Sequence, residues 1–322
     1  MKKTPLFFVL FFFASFLFTN AQSTPTEFDL LVNYLEENGN FINSEMAPAL
    51  ISPDEVKKNI KNEKFLVLDI RSESWFEYGH IKNAKNIEAA ELLNYFETAI
   101  DPEGLEKIVL VCYSGQSASY FASLLRIAGY DNVYSMEWGM SSWRLDFAEN
   151  SWLKNVKNDF ADKLETAENV KPEKAVFPTL ETGKTEPADI LKVRLDSLFA
   201  TPYKEYIVKS PDVFETPENY YVVNYGPQES YIAGHIPGAV NYLPNGSLNL
   251  ENDLITLPID KKIAVYDATG LGTAYTVAYL NVLGYDAGNI AYGANGFMNE
   301  LLIEKDWNAF TKKEVNMFPV IE

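Results

Sequence analysis

Three side chains in this sequence suit nucleophilic or proton-transfer chemistry near neutral pH: the lone cysteine, Cys112, and the only two histidines, His80 and His235. His80 stands 32 residues before Cys112, and His235 stands 32 residues before Asp267. The surroundings match as well. DIRSESWFEYGHIKNA (Asp69 to Ala84) and VLVCYSGQSA (Val109 to Ala118) recur as NYGPQESYIAGHIPGA (Asn224 to Ala239) and AVYDATGLGT (Ala264 to Thr273). A duplicated unit with a thiol in one copy and a carboxylate in the other points to one working site and one retired site.

Cys112 follows an apolar run, Ile108 to Val111, and precedes Tyr113, Ser114, Gly115, Gln116 and Ser117. A helix is expected from about Ala118. That order places the thiol at the carboxyl end of a strand, where open α/β sheets carry their sites. A tight loop containing Gly115 can turn successive N–H groups inward into an anion-holding nest, with the positive end of the helix behind it. The helix end contributes roughly 0.3–1 kcal/mol at an exposed site. Two or three direct N–H donors favour a thiolate more strongly, so the shape of the loop is expected to do most of the activation. The opposing reading is a buried cysteine acting as a small hydrophobe.

Neither histidine is expected to activate the thiol. Both occupy the same turn of the repeat, including the copy without a cysteine, so His80 is read as structural. Two histidines and one cysteine also leave no basis for a zinc site. Arg71, just after the strand-end Asp69, is replaced by Gly226 in the copy without the thiol, and Asp69 by Asn224. Arg71 therefore either bonds Asp69 or faces a substrate. Asp267 could serve as a base or a metal ligand, but beside the neutral residues Ala268 to Thr273 it reads as a loop anchor.

The elements that must position these residues alternate. Phe65 to Ile70 and Ile108 to Val111 read as buried parallel strands, and Ala118 to Ile127 as the helix after the second. Ser52-Pro53-Asp54-Glu55 caps a helix running to about Lys61. Tyr220 to Val223, Ile263 to Tyr266 and Thr273 to Leu283 repeat the pattern, with Ser210-Pro211-Asp212 as the matching cap. Gly129-Tyr130-Asp131 recurs as Gly284-Tyr285-Asp286; two inserted residues beyond it would pair Gly139 with Gly296. The fold class is α/β: two tandem units, each a parallel sheet flanked by helices. Residues 51–163 form the active unit and 189–322 the inactive one. Residues 164–188, rich in Lys, Glu, Pro and Thr, link them. A helical extension covers 22–50, with Phe28, Leu31, Val32 and Leu35 on one face.

Residues 1–21 read as an export signal. Lys2 and Lys3 precede an apolar stretch from Leu6 to Phe18, and Thr19-Asn20-Ala21 offers a cleavage site. The apolar stretch is shorter than the roughly 20 residues of a spanning helix, so no stable membrane anchor is expected. A periplasmic or secreted location follows. At 47% hydrophobic and 22% charged the chain is globular rather than disordered. Its net charge of −18 disfavours nucleic acid, anionic membranes and diffusional capture of anions. A lone cysteine has no internal disulfide partner, so an unpaired thiol in an oxidising compartment needs another reason to persist.

At these residues the chain resembles the rhodanese sulfurtransferase family. GHIKNA (Gly79 to Ala84) and GHIPGA (Gly234 to Ala239) resemble its GHIPGA turn, and DIR (Asp69 to Arg71) its strand-end motif. CYSGQS (Cys112 to Ser117) resembles its six-residue active loop, and WGMSSW (Trp138 to Trp143) its closing segment. The resemblance implies two tandem rhodanese folds and a catalytic Cys112 carrying sulfur as a covalent persulfide, with no other cofactor. A small sulfur donor and a thiol acceptor are the implied partners. The loop departs from the family in having no Arg or Lys; Tyr113 and Ser117 stand at those positions. Two other readings remain: a binding or redox-sensing module using Cys112 for reversible oxidation, and a cysteine phosphatase. The latter wants an arginine clamping phosphate at the loop's end, where Ser117 and Ala118 stand.

Overall fold

The computed structural model describes residues 24–322. The signal-like segment 1–21, and the exported location read from it, lie outside the described residues. Among the described residues no helix is long and apolar enough to cross a membrane.

After helix α1 (Glu27–Glu37), the first unit contains strands β1 (Leu50–Ile51), β2 (Phe65–Asp69), β3 (Lys85–Asn86), β4 (Lys107–Val111) and β5 (Val133–Met136). Helices α2 (Pro53–Asn59), α3 (Glu73–Tyr78), α4 (Leu92–Thr98) and α5 (Gln116–Ile127) connect them, and α6 (Leu145–Asn150) and α7 (Trp152–Asn155) follow. After α8 (Pro187–Ala200) the second unit has β6 (Ile207–Val208), β7 (Tyr220–Tyr225), β8 (Val240–Tyr242), β9 (Lys262–Tyr266) and β10 (Ala287–Ile290). Its helices are α9 (Ser210–Glu215), α10 (Gln228–Ala233), α11 (Leu271–Val282) and α12 (Asn299–Lys305). Both sheets are wholly parallel and share one order, β1-β5-β4-β2-β3 and β6-β10-β9-β7-β8. The expected α/β pair of flanked parallel sheets is what forms.

The apolar runs are continuous because both faces of each sheet are buried. Val67, Val109 and Val111 face an outer layer with Met140, Trp143 and Phe147. Leu68, Ile108, Leu110 and Cys112 face the opposite way, into a core shared with Val223, Val265 and Tyr275 of the second unit. Helices α5 and α11 pack against each other at its centre. There Ser123 Oγ donates to Tyr275 O at 2.9 Å, and the Tyr275 hydroxyl donates to Ala49 O at 2.8 Å. Helix α1 buries Phe28, Leu31, Val32 and Leu35 in the same core, packing on α8. Of the expected linker 164–188, residues 166–186 have neither helix nor strand and lie along the protein, while Pro187 and Ala188 already open α8. Phe177 stacks on Phe28, and Thr182 and Gly183 donate to the Glu27 carboxylate.

Each unit's trailing segment docks on the other unit. Past α7, Lys157 N donates to Asn295 O, and Glu165 forms a β-bridge with His235. Past α12 the chain returns: Asn316 N donates to Ser142 O, Phe318 N to Trp143 O, and Ile321 bridges His80.

Two expectations need correction. Helices α5 and α11 begin at Gln116 and Leu271, two residues before the expected Ala118 and Thr273, because Gly115 (φ +90°) and Gly270 (φ +75°) turn the chain directly into them. The partner of Gly139 is Gly293 and not Gly296. After β5 and β10 alike, an aromatic residue with positive φ (Trp138 +62°, Tyr292 +63°) precedes a left-handed glycine (Gly139 +57°, Gly293 +54°). The second copy is thus one residue shorter here instead of two longer.

A Cβ on Gly139 would sit 2.5 Å from both Cys112 O and Gly115 N. Gly139→Ala is therefore expected to cost about 2 kcal/mol or more in urea denaturation, from left-handed strain plus collision. Gly183→Ala, with φ +70° and nothing within 4 Å, isolates the strain alone and should cost about 1 kcal/mol. Equal costs would mean that Gly139 does not pin the loop.

Candidate active site

The loop after β4 is built around one sulfur atom. Gly115 N donates to Cys112 Sγ at 3.1 Å and Ala118 N at 3.4 Å, three and six residues along. The thiol is 1% exposed. It is buried, yet main-chain amides point at it, so aliphatic packing alone does not describe it. The amide of Ala118 belongs to the first turn of α5, whose early N–H groups have no helical partner. The loop is held from below: Met140 N donates to Cys112 O at 2.9 Å and Ser141 N to Tyr113 O at 3.2 Å. Trp152 Nε1 donates to Ser114 O at 2.9 Å.

The second unit repeats this arrangement around a carboxylate. Asp267 Oδ1 accepts from Thr269 N at 2.7 Å and from Gly270 N, and Oδ2 accepts from Thr273 N at 3.2 Å. Gly270 and Thr273 stand three and six residues beyond Asp267, the same offsets as in the first loop. Ala294 N and Asn295 N bond Asp267 O and Ala268 O from below. Burial raises the pKa of Asp267 above the usual carboxylate value, and the three amides only partly oppose it. Asp267 thus anchors its loop. Among the described residues no group of three or more His, Cys, Asp or Glu is placed to hold a metal.

The other site residues divide between the loop and its supports. Tyr113 is 37% exposed; its hydroxyl lies 3.3 Å from Ser72 N, and its ring packs edge-on against Trp75. Ser114 Oγ accepts from Gln116 Nε2 at 3.2 Å. Gln116 Oε1 accepts from Tyr292 N at 2.8 Å, tying the first loop to the closing segment of the second unit. Ser117 lines a cavity of about 280 Å³ with Ile70, Glu88 and Phe121, walled by Phe199 to Tyr203 of the second half. Cys112 is not in that lining. The Tyr203 pKa is raised, chiefly by burial, and the charge on Cys112 adds to it. The mouth of the Asp267 loop is walled reciprocally by Ala47, Pro48 and Leu50 of the first half.

Arg71 does not line the mouth. Its side chain is inaccessible, and its Nε and Nη2 grip Asp69, with Nη2–Oδ2 at 2.6 Å. Nη2 also donates to Gly79 O at 2.8 Å. Of the two readings, bonding Asp69 is what occurs. The pair therefore fixes the end of β2 against the Gly79-His80 turn, and Arg71 is a positioning residue. His80 Nδ1 lies 2.9 Å from Phe76 O, its ring stacked on Phe76, and His235 repeats this on Tyr231. Neither histidine bonds a loop residue; both sit where a tail from the other half docks.

Sequence reasoning missed the roles of Gly139, Trp152, Tyr203 and the Gln116 crossing. Only the first had a signal: an aromatic-glycine pair in both copies, Trp138-Gly139 and Tyr292-Gly293.

Comparison with known proteins returns a family model described as Rhodanese-like domain, matching residues 52–146 and 216–300. Among curated proteins, a thiosulfate sulfurtransferase GlpE of Coxiella burnetii is 33% identical over 106 residues, 33% of this chain and 95% of the relative. A protein of that name from Pseudoalteromonas translucida is 29% identical over 104 residues, 32% of this chain and 96% of its own. Among solved structures, a thiosulfate sulfurtransferase from Pseudomonas aeruginosa aligns over 92% of this chain and 48% of its own at 16% identity, TM-score 0.30. A rhodanese-related protein from Thermoplasma volcanium aligns over 29% of this chain and 87% of its own at 27% identity, TM-score 0.25.

Breaking the buried Asp69–Arg71 pair on one side leaves an uncompensated charge. Asp69→Leu is expected to cost about 3–5 kcal/mol in urea denaturation. Pairing Asp69→Asn with Arg71→Gly, the residues of the second unit, should cost less. A double variant as unstable as the single one would show that the charge is not the cause.

Proposed function

This chain belongs to the rhodanese-like domain family, and on that premise we propose that it is an exported sulfurtransferase carrying sulfane sulfur on Cys112. The Cys112 thiolate attacks the terminal sulfur of a donor R–S–SH. The donor S–S bond breaks, RS⁻ leaves and Cys112–S–SH forms. An acceptor thiolate R′S⁻ then attacks that outer sulfur, releasing R′–S–SH and restoring the Cys112 thiolate. No electrons are gained or lost overall, and no cofactor is required.

The observation carrying this reading is the pair of amides on Cys112 Sγ. Amides at the same offsets hold a carboxylate in the second unit, so the backbone shape suits an anion whatever the side chain. N–H donors favour the thiolate and stabilise it as leaving group in the second half-reaction. The basic and apolar residues at the start of the chain support export.

The mouth disfavours thiosulfate. The loop has no Lys or Arg, Glu88 lines the adjoining cavity, and the chain carries −18 overall. A dianion gains no counter-charge there, whereas a low-molecular-weight persulfide or polysulfide depends on one sulfur reaching the amides.

Intact mass measurement should show wild-type protein gaining one sulfur atom from a persulfide donor, and Cys112→Ser gaining none. Mixed disulfides without a sulfur adduct would overturn the transferase reading in favour of redox sensing. Turnover with thiosulfate should fall well below that with a persulfide donor; equal efficiency would refute the stated donor preference.

The Cys112→Ala, Asp267→Cys double variant should remain inactive in sulfur transfer. Asn224 and Gly226 stand in place of the buried pair that fixes the end of β2 in the first unit, and robust transfer would show that such bracing is dispensable.

A further inference from the structure

The chain has four arginines, and in three of them the edge formed by Nε and Nη2 is taken. Arg71 and Arg144 grip the carboxylates of Asp69 and Asp146 with it, and Arg194 grips the carbonyls of Val282 and Asn281. In Arg126, in the last turn of α5, that edge is empty. Nη1 donates to the carbonyls of Asp131 and Val133, while Nε is buried without a partner and Nη2 makes no hydrogen bond among the described residues. Arg126 is 5% exposed, and its guanidinium carbon lies 4.6 Å from the ring centre of Phe41 and 5.5 Å from that of Tyr134. The rings attract the charge, but they leave the two N–H groups of that edge without an acceptor. A buried charge so left is costly.

Pinning the chain does not explain the charge. At the equivalent position of the second unit stands Asn281, whose neutral Oδ1 accepts from Ala287 N and ties down the start of β10, as Arg126 ties down that of β5. Arg126 also lines a cavity of about 560 Å³ between the end of α5, helix α1 and the turn after α1. That is within the size range of small-molecule sites. Tyr34, Leu35, Phe41, Met46 and Leu191 give it apolar walls. Among the described residues the lining has no Lys, His or Glu, and its one carboxylate, on Asp131, belongs to an exposed residue.

We propose that this cavity binds a small organic carboxylate with an apolar body, its two oxygens taking the free Nε–Nη2 edge of Arg126 and its body lying against Phe41 and Leu191. The fork of a guanidinium matches a carboxylate through two parallel hydrogen bonds, the pairing that Arg144 makes with Asp146. The apolar body is part of the reading. A net charge of −18 opposes capture of a bare anion, whereas contact with the apolar walls holds at short range, where the buried guanidinium outweighs distant, screened charges. This site stands apart from Cys112 and does not depend on the sulfurtransferase reading.

The test uses the whole chain with phenylacetate, phenylacetamide and phenethylammonium, probes of similar shape with negative, zero and positive charge. Ligand-observed saturation-transfer NMR detects contact, and calorimetry gives affinity. Phenylacetate should bind about tenfold or more tightly than phenylacetamide, with phenethylammonium undetected. Arg126→Lys keeps the charge but loses the fork, and should weaken phenylacetate by about tenfold. Because that change also frees the Asp131 and Val133 carbonyls, Met46→Glu provides a second variant. Met46 is an exposed wall residue that can change without disturbing the fold, and a carboxylate there should weaken phenylacetate about threefold or more at low salt. Cys112→Ser should bind as wild type. No phenylacetate signal at millimolar ligand, phenylacetamide or phenethylammonium binding as tightly, or unchanged affinity in Met46→Glu would each overturn the proposal.

Discussion

The structure depends on inward-turned amides at the carboxyl end of the middle strand of each sheet. An unpaired N–H is expensive to bury, so a loop that aims several at one point requires an acceptor there. In the first unit the acceptor is the Cys112 sulfur, and in the second it is the Asp267 carboxylate. The same backbone tolerates both because it supplies only donors and space. Left-handed glycines, Gly115 within the loop and Gly139 beneath it, make the approach close enough. Chemistry is then decided by which side chain is offered to the cradle.

Much of this was legible in the sequence because it is written in spacing. Parallel strands buried on both faces read as plain apolar runs, and the equal His–Cys and His–Asp separations announced the duplication. The loop was legible from its place between strand and helix. The orientation of Arg71 was not, since a charge after a strand can turn inward or outward, and only the Gly79 carbonyl and the Phe147 ring decide it. Gly139 was paired with the wrong glycine because the second copy is shorter there by one residue while offering glycines at both 293 and 296. The open edge of Arg126 was hidden for a different reason. An arginine in the last turn of a helix looks ordinary, and its missing partner shows only once the surrounding walls are in place.

The two halves are joined more deeply than a linker implies. Helices α5 and α11 share a core that also takes in α1 and α8, and Gln116 reaches from one loop into the closing turn of the other unit. Phe199 to Tyr203 wall the cavity beside Ser117, and Ala47, Pro48 and Leu50 wall the one at Asp267. A unit without a thiol thus still holds the thiol-bearing loop in place, which gives a physical reason for keeping it.

The exchanged tails bear on what cutting the chain would do. Glu165 and Ile321 each lie against the histidine turn of the opposite unit, Glu165 at His235 and Ile321 at His80. Removing either unit therefore strips a backbone bridge from the one that remains, besides opening the core that the two share. An isolated half would present both an uncovered turn and bare apolar surface to water.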